Sequence, residues 1–432
     1  MTVSRELGYA ETYMHLLQAM LCGNGQIVCA VQLVGPLTPQ LFIKAIRAIH
    51  ERQPLLRAKV LKKDRYYFDL SVSFEDVPIR ILPREDSCHW QRVMDSELTS
   101  IVPAKKYLWS IILLCGGERQ DAQHEIVLKM NHAAADGVSI IHMFDDLLHI
   151  LSTLREGASV DLPAYDLLPP VELLLPSPLT WDEFLANKTA SQVEPDLMTA
   201  WKYHQNAPLG QRRTKAVYRK VDAETTRRLE LQCRQRGTTV NALLSSVLLL
   251  SAQRQMGAGA TISSPLFSMA NLRNRTVPSV VADYLGCYFS VVATYHPQIS
   301  GETDLYELAE GYRRMLNAAI PLQTNSPREF DLAELEKMVN DIVVSSSNSF
   351  NLGFSCSNMG APAIETSRKD YRLKAFYAVT NQSAGNFPMM LNVITLSGEM
   401  FCTFIYTHPL MSDDWAAGYV ERFLDILCSS IE

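Results

Sequence analysis

The stretch from His124 to Leu151 constrains this chain more than any other, because its side-chain periodicity changes within a few residues. From His124 to His132 the even positions read His, Ile, Leu, Met, His and the odd ones Glu, Val, Lys, Asn. Period-two alternation predicts a strand with one apolar face. After Gly137 the apolar residues recur at helical spacing, with Ile141, Phe144, Leu148 and Leu151 on one side. Between strand and helix lies Asn131-His132-Ala133-Ala134-Ala135-Asp136-Gly137. A histidine therefore closes the strand, an acid follows four residues on, and a glycine stands where the chain must turn. On the apolar face the His132 imidazole is partly desolvated, which favours its neutral, proton-accepting form.

The remaining bulk properties narrow the class. With 432 residues there is length for two packed units. A formal charge of -6 and a pI near 6.0 argue against nucleic acid as a partner. The nine cysteines include no CxxC pair and read as thiols of a reducing compartment. The first residues lack a signal-peptide core, and the greasiest helical run, Leu243 to Leu250, is too short to span a bilayer. The expectation is a soluble cytoplasmic protein with no transmembrane segment.

Five prolines between 161 and 180 disfavour regular structure and mark a crossover. The predicted organisation is an N-terminal half, 1–160, a proline-rich linker, 161–180, and a C-terminal half, 181–432. In the first half 27–34 reads as a strand, and Thr38-Pro39 opens a helix that Pro54 stops. In the second half helices are expected at about 180–205, 222–236 and 238–255. Strands are expected at 260–268, 286–295, 350–356, 371–380, 388–396 and 399–407, the last two joined through Ser397-Gly398. A final helix starts at Ser412. Strands and helices mix without strict βαβ alternation, so the fold class is mixed α/β.

The HxxxDG run from His132 to Gly137 resembles the signature of the condensation-domain superfamily of CoA- and carrier-protein-dependent acyltransferases. Other segments join it in order: Arg5-Glu6-Leu7 with Glu11, then His50-Glu51-Arg52-Gln53-Pro54, then Asn271-Leu272-Arg273-Asn274-Arg275 with Leu285-Gly286, and Ser357-Asn358-Met359-Gly360. The likeness spans nearly the whole chain and is nearest the polyketide-associated, phthiocerol dimycocerosyl transferase-like type and alcohol O-acetyltransferases. Asn131 stands where many relatives carry a second histidine. The Asp-Phe-Gly-Trp-Gly segment of the plant BAHD branch is absent, and the motif falls too early for a lipoyl-linked acyltransferase core. The resemblance implies two chloramphenicol-acetyltransferase-like halves forming a pseudo-dimer around a central tunnel. No second copy is needed to complete such a site, and a monomer is expected.

Acyl transfer from a thioester needs a base, an oxyanion donor and exclusion of water; it needs neither metal nor covalent enzyme intermediate. His132 is the candidate base, set against a core histidine at a strand end. Asp136 reads either as a helix N-cap or, from the resemblance, as a structural ion pair with Arg273 first and Arg275 second. Gly137 allows close backbone approach or an unusual backbone angle, and its amide is a candidate oxyanion donor. His142, Asp145, Asp146 and His149 share a helix face but read as a solvated stripe, so no metal is expected. Residues 212–236 carry nine basic side chains against three acidic ones. Arg212, Arg213, Lys215, Arg219 and Lys220 lead this run, read either as a dock for an acidic carrier protein or coenzyme A, or as an exposed face. Ser355, Ser357 and Asn358 are candidate tunnel residues, set against simple turn closure. The implied function is acyl transfer from acyl-CoA or an acyl carrier protein to a hydroxyl of a lipid or secondary metabolite. A polyketide synthase is the candidate partner, and no cofactor is bound permanently. The alternatives are N-acyl transfer and a non-catalytic binding module on the same fold.

Overall fold

A computed structural model describes residues 4–190, 197–257, 259–344 and 348–431. Two six-stranded mixed sheets carry the fold. The first runs in the order Ser367–Arg368, Tyr371–Thr380, Ile27–Val34, Gln123–Met130, Trp109–Cys115, Ile79–Pro83. The second runs Phe289–Ile299, Ile262–Asn271, Phe354–Asn358, Met390–Leu396, Glu399–His408, Arg213–Val221. Two strands cross over from far along the chain, Ser367–Arg368 and Tyr371–Thr380, the longer lying antiparallel to Ile27–Val34 with Phe376 opposite Val31.

Helices Pro39–Arg52 and Gly137–Arg155 cover one side of the first sheet, burying Phe42, Ile46 and Ile49 beside Ile140, Phe144 and Leu148. Alternation along the second sheet separates its faces. Leu391, Val393, Cys402 and Phe404 pack under helices Val240–Met256 and Asp413–Ser429. Met390, Ile394, Phe401 and Ile405 turn the other way and join the core of the first sheet. Tyr377 of the first sheet meets Phe401 of the second edge-on at 5.5 Å across this seam, and Trp90 stacks on Tyr377 at 5.0 Å.

Local chemistry explains most boundaries. Thr38 caps its helix through the Leu41 amide (3.1 Å), and Ser412 caps the last helix through Trp415. Ser397 and Gly398 both have positive φ, as a tight turn between Leu396 and Glu399 requires. The proline-rich segment has no regular structure until a single turn at Val171–Leu174.

Several expectations need correction. The helix expected over 180–205 is Trp181–Ala190; residues 191–196 lie outside the described residues, and 197–205 are not α-helical. Lys202 instead bridges Ser349. The strand expected from 286 begins at Phe289, because the amides before it are used elsewhere. Leu285 donates to Gln53, Gly286 to Ser139 and Tyr288 to Asp136. The strand expected over 350–356 is Phe354–Asn358. Finally, the strand before the motif has no solvent face. Glu125 and Lys129 on its polar side are buried too, neutralised by Arg84 at 2.9 Å and by Glu97 at 2.6 Å.

Candidate active site

The strand ends at Met130, so His132 stands in the turn beyond it and not on the strand's apolar face. Asn131 makes that turn. Its Oδ1 accepts the Ala133 amide at 2.9 Å, and its own amide donates to Leu108 at 2.8 Å. An asparagine side chain that captures a backbone amide two residues on draws the chain out of a ladder. His132 is half-buried, its ring 4.8 Å from that of Phe289 at a 35° tilt. Nδ1 is buried without a hydrogen-bond partner of good geometry. Burial pushes the imidazole below its ordinary pKa, opposed by its own and the Ala135 carbonyls and by the Asp136 charge.

Asp136 satisfies both readings at once. As N-cap of Gly137–Arg155 its Oδ1 accepts the Ser139 amide at 2.9 Å. Its carboxylate also takes a two-pronged bond from Arg273, at 2.7 and 3.0 Å. The Tyr288 amide donates to it at 3.1 Å. Burial would raise this carboxyl, but the Arg273 guanidinium and the Ser139 hydrogen bonds outweigh that and hold it below the usual carboxylate range. Arg273 is 2% exposed, so the pair is buried and joins the first-sheet motif to the turn after Ile262–Asn271. Arg275 does not take part. It lies two residues on, half-buried, beside Leu175 and Asn325.

Gly137 has no positive φ; what it needs is space. A Cβ there would meet Met359 Sδ at 2.7 Å. The Ser357–Gly360 segment of the second sheet thus passes directly over the motif. Asn358 closes its own turn, accepting the Gly360 amide at 2.8 Å. Ser355 and Ser357 alternate with Phe354 and Cys356, which pack into the helical core, and so face the first sheet. Ser355 Oγ is buried without a partner.

Two residue sets have partners that the sequence did not suggest. Arg212 is buried and bonds the Ala207 and Ala384 carbonyls. Arg213 bonds carbonyls as well, while Lys215, Arg219 and Lys220 pair with Asp413, Glu421 and Glu399. Three of the five expected docking side chains are therefore paired with carboxylates distant in sequence, and the other two with backbone carbonyls. On the motif helix Asp145 pairs with Arg368 and Asp146 with Arg52, so this face is not simply solvated. Among the described residues no group of three or more His, Cys, Asp or Glu is placed to hold a metal.

Ser139 was not singled out from sequence. Its Oγ donates to Asp136 at 2.7 Å and accepts from Arg273 at 2.7 Å and from the Gly286 amide at 3.2 Å. The signal was present, since Asp136-x-x-Ser139 has the spacing of a reciprocal helix cap. Phe289 and Met359 carried no comparable local signal.

The two stacked lobes, joined at a tight His turn by a buried Asp–Arg pair, share their fold with solved acetyltransferase and condensation-domain structures. Residues 210–361 match the phthiocerol/phthiodiolone dimycocerosyl transferase C-terminus family. Trichothecene 15-O-acetyltransferase from Fusarium sporotrichioides superposes with a TM-score of 0.74 at 14% identity, over 99% of this chain and 96% of that one. Polyketide synthase associated protein 5 from Mycobacterium tuberculosis does so at 0.67 and 14%, over 99% and 97%. The starter condensation domain of rhizomide synthetase, in complex with C8-CoA, does so at 0.70 and 15%, over 99% and 95%. Malformin synthetase from Aspergillus kawachii is 23% identical over 185 residues, 41% of this chain and only 3% of that protein's length. No described helix is long and apolar enough to cross a membrane.

Proposed function

We propose that this chain transfers an acyl group from a thioester, carried by coenzyme A or an acyl carrier protein, to a hydroxyl of a lipid or secondary metabolite in the cytosol. The halves meet at the linker 161–180, and His132 acts between them as general base. One observation carries this reading: a half-buried imidazole, biased to its neutral form, on a turn anchored by the Asp136–Arg273 pair.

With its proton on the buried Nδ1, His132 leaves Nε2 to accept one. Nε2 takes the hydroxyl proton as the oxygen attacks the thioester carbonyl carbon. The Gly137 amide, in the first turn of its helix where no intrahelical acceptor exists, donates to the developing oxyanion. The C–S bond then breaks, and the imidazolium returns its proton to the leaving thiolate. No bond to the protein forms. Phe289 shields the ring from water. Ser355 Oγ, buried and unpartnered, is a wall group for the donor arm.

Hydroxyl acceptors are favoured because one neighbour is by name an O-acetyltransferase. Amide formation is the second reading, since another neighbour is a synthetase condensation domain with bound C8-CoA. Thiol release from a panel of acyl-CoA and carrier-bound donors, with alcohols and amines in turn, separates them. Release is expected with an alcohol, and His132→Ala is expected to lower it ~10²–10⁴-fold with unchanged circular dichroism. Amine-only release selects the second reading. An unimpaired His132→Ala removes the mechanism, and no release from any donor leaves a binding module.

A further inference from the structure

The short turn Arg273–Arg275 sends two guanidinium groups to different places. Arg273 reaches inward to Asp136, while Arg275 lines an open pocket with Leu175, Pro176, Ser177 and Asn325. Three separate parts of the chain converge there: the end of the proline-rich segment, the turn itself, and the residues just after helix Leu305–Gln323. Backbone hydrogen bonds hold the walls. Val277 donates to the Leu174 carbonyl at 2.8 Å, and Leu179 to that of Ser326 at 3.3 Å.

The chemistry of the lining is one-sided. Arg275 is half-buried, and no described carboxylate lies within ion-pair reach of it. Some other half-buried arginines face an acid, as Arg84 does Glu125 and Arg368 does Asp145. Ser177 adds a hydroxyl, and Asn325 a side-chain amide whose Nδ2 also donates to the Pro321 carbonyl at 3.5 Å. Donors and a fixed cation thus converge with no anion to meet them, on a chain whose net charge is -6. A guanidinium fork suits phosphate oxygens best. Apolar side chains near in sequence to the lining stand exposed: Leu173 at 52%, Val277 at 69% and Leu322 at 70%. An anion with a less polar extension matches both features.

We propose that Arg275, Ser177 and Asn325 form an anion subsite for the phosphate of a pantetheine-bearing thioester donor. This rests on the thioester reading above. Coenzyme A and a phosphopantetheinylated carrier are the two sources of that chemistry.

Calorimetric titration of the full chain with coenzyme A, 4′-phosphopantetheine and unphosphorylated pantetheine tests it. The variants are Arg275→Ala, Arg275→Lys and Ser177→Asp, each first checked for unchanged melting. Arg275→Ala and Ser177→Asp are expected to weaken phosphorylated ligands by about tenfold or more, and Arg275→Lys by less. Pantetheine binding should not change. Weakening of coenzyme A alone assigns the pocket to its nucleotide-side phosphates; weakening of both assigns it to the arm phosphate that a carrier shares. Equal binding by wild type and Arg275→Ala, an equal loss for pantetheine, or no binding of either phosphorylated ligand overturns the subsite. Transfer activity is read separately. Turnover with Arg275-independent binding removes the subsite alone, and Arg275-dependent binding without turnover removes the transferase reading alone.

Discussion

At Gly137 the two sheets come close enough that a single methyl group matters. Met359 Sδ would lie 2.7 Å from an added Cβ, closer than carbon and sulfur tolerate. Because the clashing atom belongs to a flexible side chain that can move aside, Gly137→Ala is expected to destabilise by no more than ~1 kcal/mol, the low end of overpacking, and Met359→Ala in the same chain to remove that loss. Urea unfolding of the two single variants and the double one measures this. The neighbouring pair follows a different rule, because its cost lies in the partner left behind. Removing Arg273 strands a buried carboxylate, and removing Asp136 strands a buried guanidinium. Each single alanine variant should cost about 3–5 kcal/mol, with the double variant well short of their sum. Additive losses in denaturant would show that the two groups do not depend on each other.

Among the elements, the proline-rich segment is held from outside, having almost no internal hydrogen bonds to hold itself. Arg52, at the end of its helix, bonds Asp146 at 3.1 Å, the Pro163 carbonyl at 3.0 Å, and Tyr165 Oη and Asp283 at 2.7 Å each. Its guanidinium also lies 4.3 Å from the centre of the Tyr165 ring. One side chain thus ties two helices, the connecting segment and the loop before Phe289. Arg52→Lys keeps the charge but loses the planar fork. Faster cleavage between 161 and 180 under limited proteolysis is expected, while far-ultraviolet circular dichroism stays as it was. Unchanged cleavage would mean that other contacts hold the segment.

Over the whole molecule, burial of ionisable groups sets the response to acid. His15, His50 and His296 are buried and pushed down to about 4, and His124, His132 and His142 are lowered as well, burial being the first cause in each. Such a histidine takes its proton in the unfolded chain at higher pH than in the folded one. Stability is full above about 6.5 and falls as pH drops, by up to ~1.4 kcal/mol per pH unit for each group. Glu172 and Asp146 act oppositely. Burial raises them to about 7 and about 6, and raises Glu125 and Asp95 as well, so the folded state binds these four protons first. The histidines outnumber them, and the denaturation midpoint is expected to fall between pH 7 and pH 5. A flat or rising midpoint would show that the carboxyl groups dominate.

Periodicity and capping located about half of the helices and strands, because an amphipathic repeat is a local property of the chain, but Tyr9–Met20, Trp109–Cys115, Arg213–Val221 and Leu305–Gln323 went unread. Capping residues such as Thr38 and Ser412, and the Ser397-Gly398 turn, were readable for the same reason. The proximity of His132 and Asp136 was readable too, since four residues of chain enforce it. Partnership was not. Nothing in the run from Arg212 to Lys220 announces that Asp413, Glu421 and Glu399 will pair with three of its side chains. The Asp136–Arg273 pair is the exception: the family resemblance ranked Arg273 ahead of Arg275, though no local pattern around either residue distinguishes them. The burial of Glu125 and Lys129 depends on what packs over both faces of their strand, and the place of Tyr371–Thr380 in the first sheet on a pairing across most of the chain. Contacts between residues far apart in sequence are chosen by packing and charge compensation, which no local pattern encodes; only folding brought those partners together.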